Sequence, residues 1–202
     1  MVRAAPYNRV AALEAATQLF WEKGYVGTSL KDLENVLSMK PGSIYAAFKS
    51  KEDLFSMSLE LYFEQNLVAL RSLQESDAPL LTALGAFLLR IGENAEGDPL
   101  CRPCMVVKTL LETSSISEDL TNQSRIYLNE MVGEIKAVLD LAQERGELVA
   151  DVNTSQLAHR FQANLTALRL EAHVSDQPDI LRQLARDMVE ELERYSAQKQ
   201  TL

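Results

Sequence analysis

The chain has 202 residues, enough for a full core and for one large or two small domains. Its 47% hydrophobic and 24% charged residues exclude disorder, no run nears the roughly 20 apolar residues of a membrane span, and Met1–Asn8 holds no apolar signal segment. A net charge of −9 argues against nucleic acid taken whole, yet residues 1–51 hold seven Lys/Arg against four Asp/Glu, a net of +3, leaving −12 for the rest. A basic end on an acidic body fits a single module facing phosphates, although scattered surface charge would give the same count. A cytoplasmic protein without a membrane partner is expected, and two cysteines are too few for a secreted disulfide framework.

In chain order, every long segment carries helical period. Val10, Leu13, Ala16 and Phe20 share one face of a first helix that Gly24 ends. Thr28-Ser29 offers an N-cap to a helix with Leu30, Leu33, Val36 and Leu37 at helical spacing and Asp32 in its first turn. After a break at Ser38, a short helix runs from about Lys40 to Phe48 with Pro41 in its first turn. Ser50 with Asp53 resembles a capping box, with Asp in place of the preferred Glu or Gln, and opens a helix to about Glu75. Asp77-Ala78-Pro79 starts another helix through about Ala95, and Glu96-Gly97-Asp98-Pro99 breaks it. Further helices fit 103–113, 117–145 and 154–174, and Gln177-Pro178-Asp179 begins a last one to about Tyr195. The polar tail from Ser196 is expected to fray. With no sustained period-two stretch and few Gly and Pro, the expectation is an all-α fold of about nine helices. The short helices within 1–51 and the longer ones within 52–202 are expected to form two domains.

Two short helices joined by a turn can place the second in a DNA major groove. That second helix has small or hydroxyl residues, Gly42, Ser43, Ala46 and Ala47, on the side a groove needs open, with Lys40, Tyr45, Lys49 and Lys51 as phosphate donors around it. Ile44 and Phe48 can pack inward on Leu33 and Leu37. An ordinary helical hairpin with solvated lysines has the same spacing. The runs Gly24-Tyr25-Val26-Gly27-Thr28-Ser29-Leu30-Lys31-Asp32-Leu33 and Lys40-Pro41-Gly42-Ser43-Ile44-Tyr45-Ala46-Ala47-Phe48-Lys49-Ser50-Lys51-Glu52-Asp53-Leu54 resemble the TetR family signature, over about residues 8–55. The resemblance implies a helix-turn-helix DNA-binding domain over 1–51, an effector-binding and dimerisation domain over 52–202, and a homodimeric transcriptional repressor whose two heads contact successive major grooves of a palindromic operator. It implies that Thr28 and Ser29 hold phosphate at a helix N-terminus, that Lys40, Pro41, Gly42 and Ser43 face base edges or nearby backbone, and that Tyr45 and Lys51 grip phosphates. Ala46-Ala47 departs from relatives that carry His or a larger polar residue before the Phe.

The acidic body shows no catalytic signature, so no enzyme and no cofactor are expected. His159 and His173 are fourteen residues apart, about 21 Å along one helix, and cannot share a metal; they read as partly buried ordinary histidines. Cys101 and Cys104 lie at the start of a helix with Arg102 and Lys108 nearby, a setting that stabilises thiolate. The pair can be a redox couple, half of a zinc site, or two small buried apolar residues. The run through Cys104, Val107, Lys108 and Glu112 resembles the TetR branch with electrophile- and oxidant-responsive members, which implies that Cys104 is the sensing thiol. The later stretch Ala163–Arg169 lacks the lysine that some of those members use to trap oxidised sulfur. Otherwise a small apolar effector would bind among Phe63, Phe87, Leu88, Ile91, Met105, Leu128 and Phe161, each of which can also be plain core. Apolar stripes Leu157, Phe161, Leu165, Leu168 and Ile180, Leu184, Met188, Leu192 suggest a four-helix dimer interface about a two-fold axis.

Overall fold

The computed structural model describes residues 8–75, 78–94 and 98–197. Among them are nine α-helices: α1 Arg9–Gly27, α2 Leu30–Leu37, α3 Pro41–Phe48, α4 Lys51–Gln74, α5 Leu80–Glu93, α6 Met105–Thr113, α7 Glu118–Glu144, α8 Thr154–Val174 and α9 Pro178–Glu193. A 3-10 turn at Pro99–Cys101 precedes α6, and the one β-type pairing among the described residues is an isolated bridge, Leu148 to Ser196. The all-α expectation holds, with boundaries within a few residues. The expected ends at Asp77 and Ala95 lie outside the described residues, as do Arg3 and the end of the tail.

The chain divides into two compact units. One combines residues 1–66 with 105–127, and the other combines 67–104 with 128–202. The expected division at 51/52 is therefore not where packing divides the chain, because α6 and the first third of α7 fold with the N-terminal helices.

The first unit is ordered by caps and aromatic packing. Asn8 starts α1 by accepting from the N–H groups of Val10 and Ala11. Gly24 breaks α1 with φ 78°, a left-handed conformation that glycine adopts at no steric cost. Ser29 and Asp32 form a reciprocal capping box at α2, and Ser38 ends that helix in the left-handed region. Phe20, Leu33, Ile44, Phe48, Leu54, Phe55, Leu59 and Phe63 are buried. Phe55 meets Phe20 and Tyr25 edge-on at 4.8 and 5.0 Å, and Phe63 stacks on Tyr127 at 4.0 Å. Val10 does not join the core face expected for it. It is 66% exposed, whereas Ala12, Ala16, Leu19 and Phe20 of that helix are buried.

The second unit has its own core of Leu80, Leu84, Leu88, Ile91, Ile135, Val138, Leu139, Phe161, Leu165, Leu168 and Leu181, among others. α9 lies along α5, brought close by Gly85 and Gly92. A Cβ on Gly92 would stand 2.5 Å from the Cβ of Ala185, so glycine is required by the approach itself. Arg71 and Glu134 pair α4 with α7, and Glu147 accepts from the N–H of Leu80 at the start of α5.

Candidate nucleic-acid interface

α2, the turn at Ser38 and α3 form a helix-turn-helix within the first unit. α3 is only eight residues long, too short to be stable by propensity alone. It is held by Ile44 and Phe48, both buried, while Gly42, Ser43, Tyr45, Ala46 and Lys49 stay exposed. Nothing lies within 4 Å of the place a Cβ on Gly42 would occupy, so this side is open. Lys40 occupies the N-cap position with no side-chain cap, and Pro41 follows in the first turn. Pro41 carries no N–H, and the N–H groups of Ser43 and Ile44 both donate to the Lys40 carbonyl at 2.9 and 3.1 Å, so in this first turn it is the Gly42 N–H that is left for an approaching anion. An open groove of about 560 Å³ runs beside it, lined by Ala11, Ala15, Val36, Met39, Lys40 and Ser43 among others.

The cations of the head are differently placed. Lys40 and Lys49 are exposed at the two ends of α3, and Lys49 ends the helix at φ 64° with its N–H donating to the Tyr45 carbonyl. Lys51 is half-buried, with its ammonium 4.5 Å from the centre of the Tyr25 ring. Burial lowers the Lys51 pKa, opposed by the nearby Glu112 and Asp32 carboxylates. Burial also raises the Tyr25 hydroxyl above its ordinary value, helped by Glu52. Lys23 pairs with Asp32 at 2.5 Å, Lys31 with Glu34, and Arg9 lies over the Phe48 ring. The Asp32 carboxyl sits far below its ordinary range, chiefly through the hydrogen bond from Lys23 and then those from Ser29.

Two expected phosphate contacts need revision. Thr28 is fully buried and its hydroxyl donates to the Gly24 carbonyl, so its side chain cannot reach a phosphate. Ser29 is exposed, but its hydroxyl is engaged with Asp32, both accepting the Asp32 N–H and donating to the carboxylate at 2.6 Å. A carboxylate thus already occupies that helix N-terminus.

Sequence reasoning missed α6 as a part of the head. Lys108 was expected beside the thiols; instead its ammonium donates to the carbonyls of Trp21 at 2.8 Å and Glu22 at 3.3 Å, the last turn before the Gly24 break. One turn on, the Glu112 carboxylate accepts from the N–H groups of Tyr25 at 2.9 Å and Val26 at 2.7 Å. The i,i+4 spacing of Lys108 and Glu112 was visible in the sequence, but nothing local pointed to partners 86 and 87 residues away.

The second unit holds the cysteines. Both are buried and outside any disulfide, and Cys101 Sγ lies 3.8 Å from the Arg90 carbonyl. Asp98 pairs with Arg90 at 2.5 Å, and buried Arg169 on α8 donates from Nε to the Leu100 carbonyl at 3.0 Å. Of the expected effector residues, Phe87 and Phe161 belong to this unit's core, whereas Phe63 and Met105 are buried in the first. The expected interface stripe Leu157, Phe161, Leu165, Leu168 is buried in the chain's own core, as is Leu192, so these side chains are not available to a partner. On α8 it is Ala163, Ala167, Leu170 and Val174, one stripe at helical spacing, that face outward, and on α9 Ile180 is exposed with Leu184 and Met188 half-buried. His159 and His173 are exposed rather than partly buried.

Comparison with known proteins agrees with this geometry. Residues 12–56 match the model for bacterial regulatory proteins of the tetR family, and residues 81–188 match the tetracyclin repressor-like C-terminal domain. The chain belongs to the tetR family. It is therefore a helix-turn-helix transcriptional regulator and not an enzyme. The transcriptional repressor ComR of Escherichia coli K12 is 27% identical over 89% of this chain and 86% of its own length. The uncharacterized regulator YezE of Bacillus subtilis is 26% identical over 90% of this chain and all of its own. A cysteine mutant of the regulator CifR, solved with 26-bp operator DNA, superposes with a TM-score of 0.81 at 25% identity, covering 93% of this chain and 98% of its own.

Proposed function

We propose that this tetR-family member is a homodimeric repressor whose two α3 helices read a palindromic operator, and that it is released when a cysteine is modified by an electrophile or oxidant. The observation that carries the DNA half is the face of α3: Ile44 and Phe48 anchor it, and small and polar residues stand open on the other side. Lys40, Pro41, Gly42 and Ser43 approach base edges and backbone, while Lys49, Tyr45 and Lys51 meet phosphates. The relatives ComR and CifR, a named repressor and a regulator solved on operator DNA, support this reading. No described helix is long and apolar enough to cross a membrane, which accords with a cytoplasmic regulator. The outward stripe of α8 with Ile180 and Leu184 of α9 forms the dimer face and sets the spacing of the heads.

Cys104 is the proposed sensor, since it immediately precedes α6, which is part of the head's own unit. A non-covalent effector is the second reading, favoured by one atom. Gln162 Oε1 on α8 is buried without a hydrogen-bond partner, an acceptor that a ligand donor would satisfy.

A mobility shift with DNA from upstream of the gene, with and without a quinone, tests both halves. Binding by wild type that is lost on treatment, with Cys104→Ser remaining bound, supports the thiol switch. Loss in both proteins turns the assignment to a non-covalent ligand, and no binding to any promoter fragment refutes the repressor.

A further inference from the structure

Glu112 and Lys108 of α6 hold the two sides of the only break in α1, and we infer that they are positioning residues for operator recognition. The inference rests on the DNA-binding reading above. A helix that stops leaves carbonyls unpaired on one side, and a chain that resumes leaves N–H groups unpaired on the other. At Gly24 both sets are met from α6. The Lys108 ammonium takes the carbonyls of Trp21 and Glu22, and the Glu112 carboxylate takes the N–H groups of Tyr25 and Val26. Each charge faces the end of the backbone dipole that it stabilises.

The clamp also excludes other geometries. Gly24 has φ 78°, and a Cβ there would stand 2.7 and 2.9 Å from the two Glu112 oxygens, so the carboxylate closes directly over the turn. Tyr25, whose N–H it holds, carries the Lys51 ammonium on its ring and packs edge-on against Phe55 of α4. Thr28 ties the same turn shut by donating to the Gly24 carbonyl. The direction in which the chain leaves α1 for α2, and with it the presentation of α2 and α3, is thereby set by a carboxylate that does not touch DNA.

The sign of the effect separates this role from simple electrostatics. Removing a negative charge from a DNA-binding head raises affinity for any duplex if charge alone matters. If Glu112 positions the head, Glu112→Gln weakens binding to the specific site while leaving binding to random duplex unchanged or tighter.

The test uses the full-length protein and duplexes enriched by wild type from a random-sequence library. Failure of wild type to enrich any sequence would count against the DNA-binding reading itself, not against the clamp. Given enrichment, Glu112→Gln and Lys108→Met are titrated against the enriched duplex and a scrambled one, with stoichiometric titration fixing the active fraction. Loss of a charge-assisted bond predicts that specific affinity of Glu112→Gln falls roughly tenfold to a hundredfold at constant active fraction. Its Tyr25 and Val26 amides should exchange faster than in wild type. A merely structural role would lower melting temperature and active fraction but leave the specific-to-random ratio of the folded protein intact, and that result overturns the inference. So does unchanged or tighter specific binding. Should neither variant fold, amide exchange of wild type decides: unprotected Tyr25 and Val26 amides overturn the clamp, and strong protection supports it.

Discussion

Substitutions on the two faces of α3 should separate stability from recognition. Ile44 is 1% exposed and one of only two buried side chains in an eight-residue helix. Ile44→Ala removes three buried carbons, about 2.4 kcal/mol at ~0.8 kcal/mol for each, and the residual cavity brings the cost to roughly 2–5 kcal/mol. Because α3 has no side-chain cap, Phe48 is the one buried side chain of the helix left to oppose its local melting. Ser43→Ala, on the exposed face, should stay within about 0.5 kcal/mol of wild type in stability. Its effect should appear in binding, since on the proposed reading it removes a hydroxyl assigned to DNA contact while the helix stays intact. Thermal melts followed by circular dichroism, paired with operator titrations at two temperatures, read both quantities. Ile44→Ala should lose affinity increasingly as its melt is approached, because apparent affinity scales with the ordered fraction. Ser43→Ala should lose it equally at both temperatures. Equal melting of Ile44→Ala and wild type, or a lowered melt with unaltered binding in Ser43→Ala, would refute this division of the helix.

Acid should act on the head through Asp32. Its folded pKa lies below the ordinary 3.8, so its contribution is complete above that value and is lost as pH falls through the folded one. The stability gap between wild type and Asp32→Asn should therefore shrink as pH drops below about 4, and a gap constant with pH would contradict it. Leu170→Glu, at a 58% exposed site on α8, should yield monomer in light scattering with little change in helicity; a persistent dimer would move the interface elsewhere. Leu165→Glu should instead unfold the second unit. Because both cysteines are buried, they should react with a thiol reagent more slowly in the native protein than in denaturant, and equal rates would mean an open thiol. With Lys40, Lys49 and Lys51 as the proposed phosphate-facing cations in each of two heads, log affinity should fall with log salt at a slope near −0.9 for each of about six phosphates.

The fold was readable in the sequence because helix signals are local. The Pro41 start of α3 and the Ser50–Asp53 cap of α4, with its 2.9 Å bond to the Asp53 N–H, sit where residue spacing put them. What failed was assigning faces. The stripe Leu157–Phe161–Leu165–Leu168 is correctly apolar and correctly periodic, but a period states only that a face is buried, not by what. The outward stripe went unread because Ala163 and Ala167 are small and register weakly in any apolar pattern. Thr28 looked like a cap because threonine usually is one at such a position; its hydroxyl turned to Gly24 because Ser29 supplies the cap of α2. Partners across 86 and 87 residues, such as those of Lys108 and Glu112, leave no local trace at all.

The charge of the head now takes a different meaning from the one its sum suggested. A net of +3 over residues 1–51 reads as a surplus facing phosphate. In the folded head, Lys23 is engaged by Asp32, Lys31 by Glu34, Lys51 by the Tyr25 ring and Arg9 by Phe48. Four cations thus have partners within the head, while Lys40 and Lys49 stand exposed at the ends of α3. On the proposed reading, a duplex would be recognised in part through neutral groups whose placement must be accurate: the Gly42 N–H, the Ser43 hydroxyl, and the close approach that Gly42 permits. Such contacts tolerate displacement poorly, since hydrogen bonds weaken steeply with angle whereas a lysine on a flexible stem adapts. A head built this way binds tightly only when α3 is presented correctly. On the proposed reading, small movements of the elements that orient it would be enough to weaken binding, without any need to hide the face of α3 assigned to DNA.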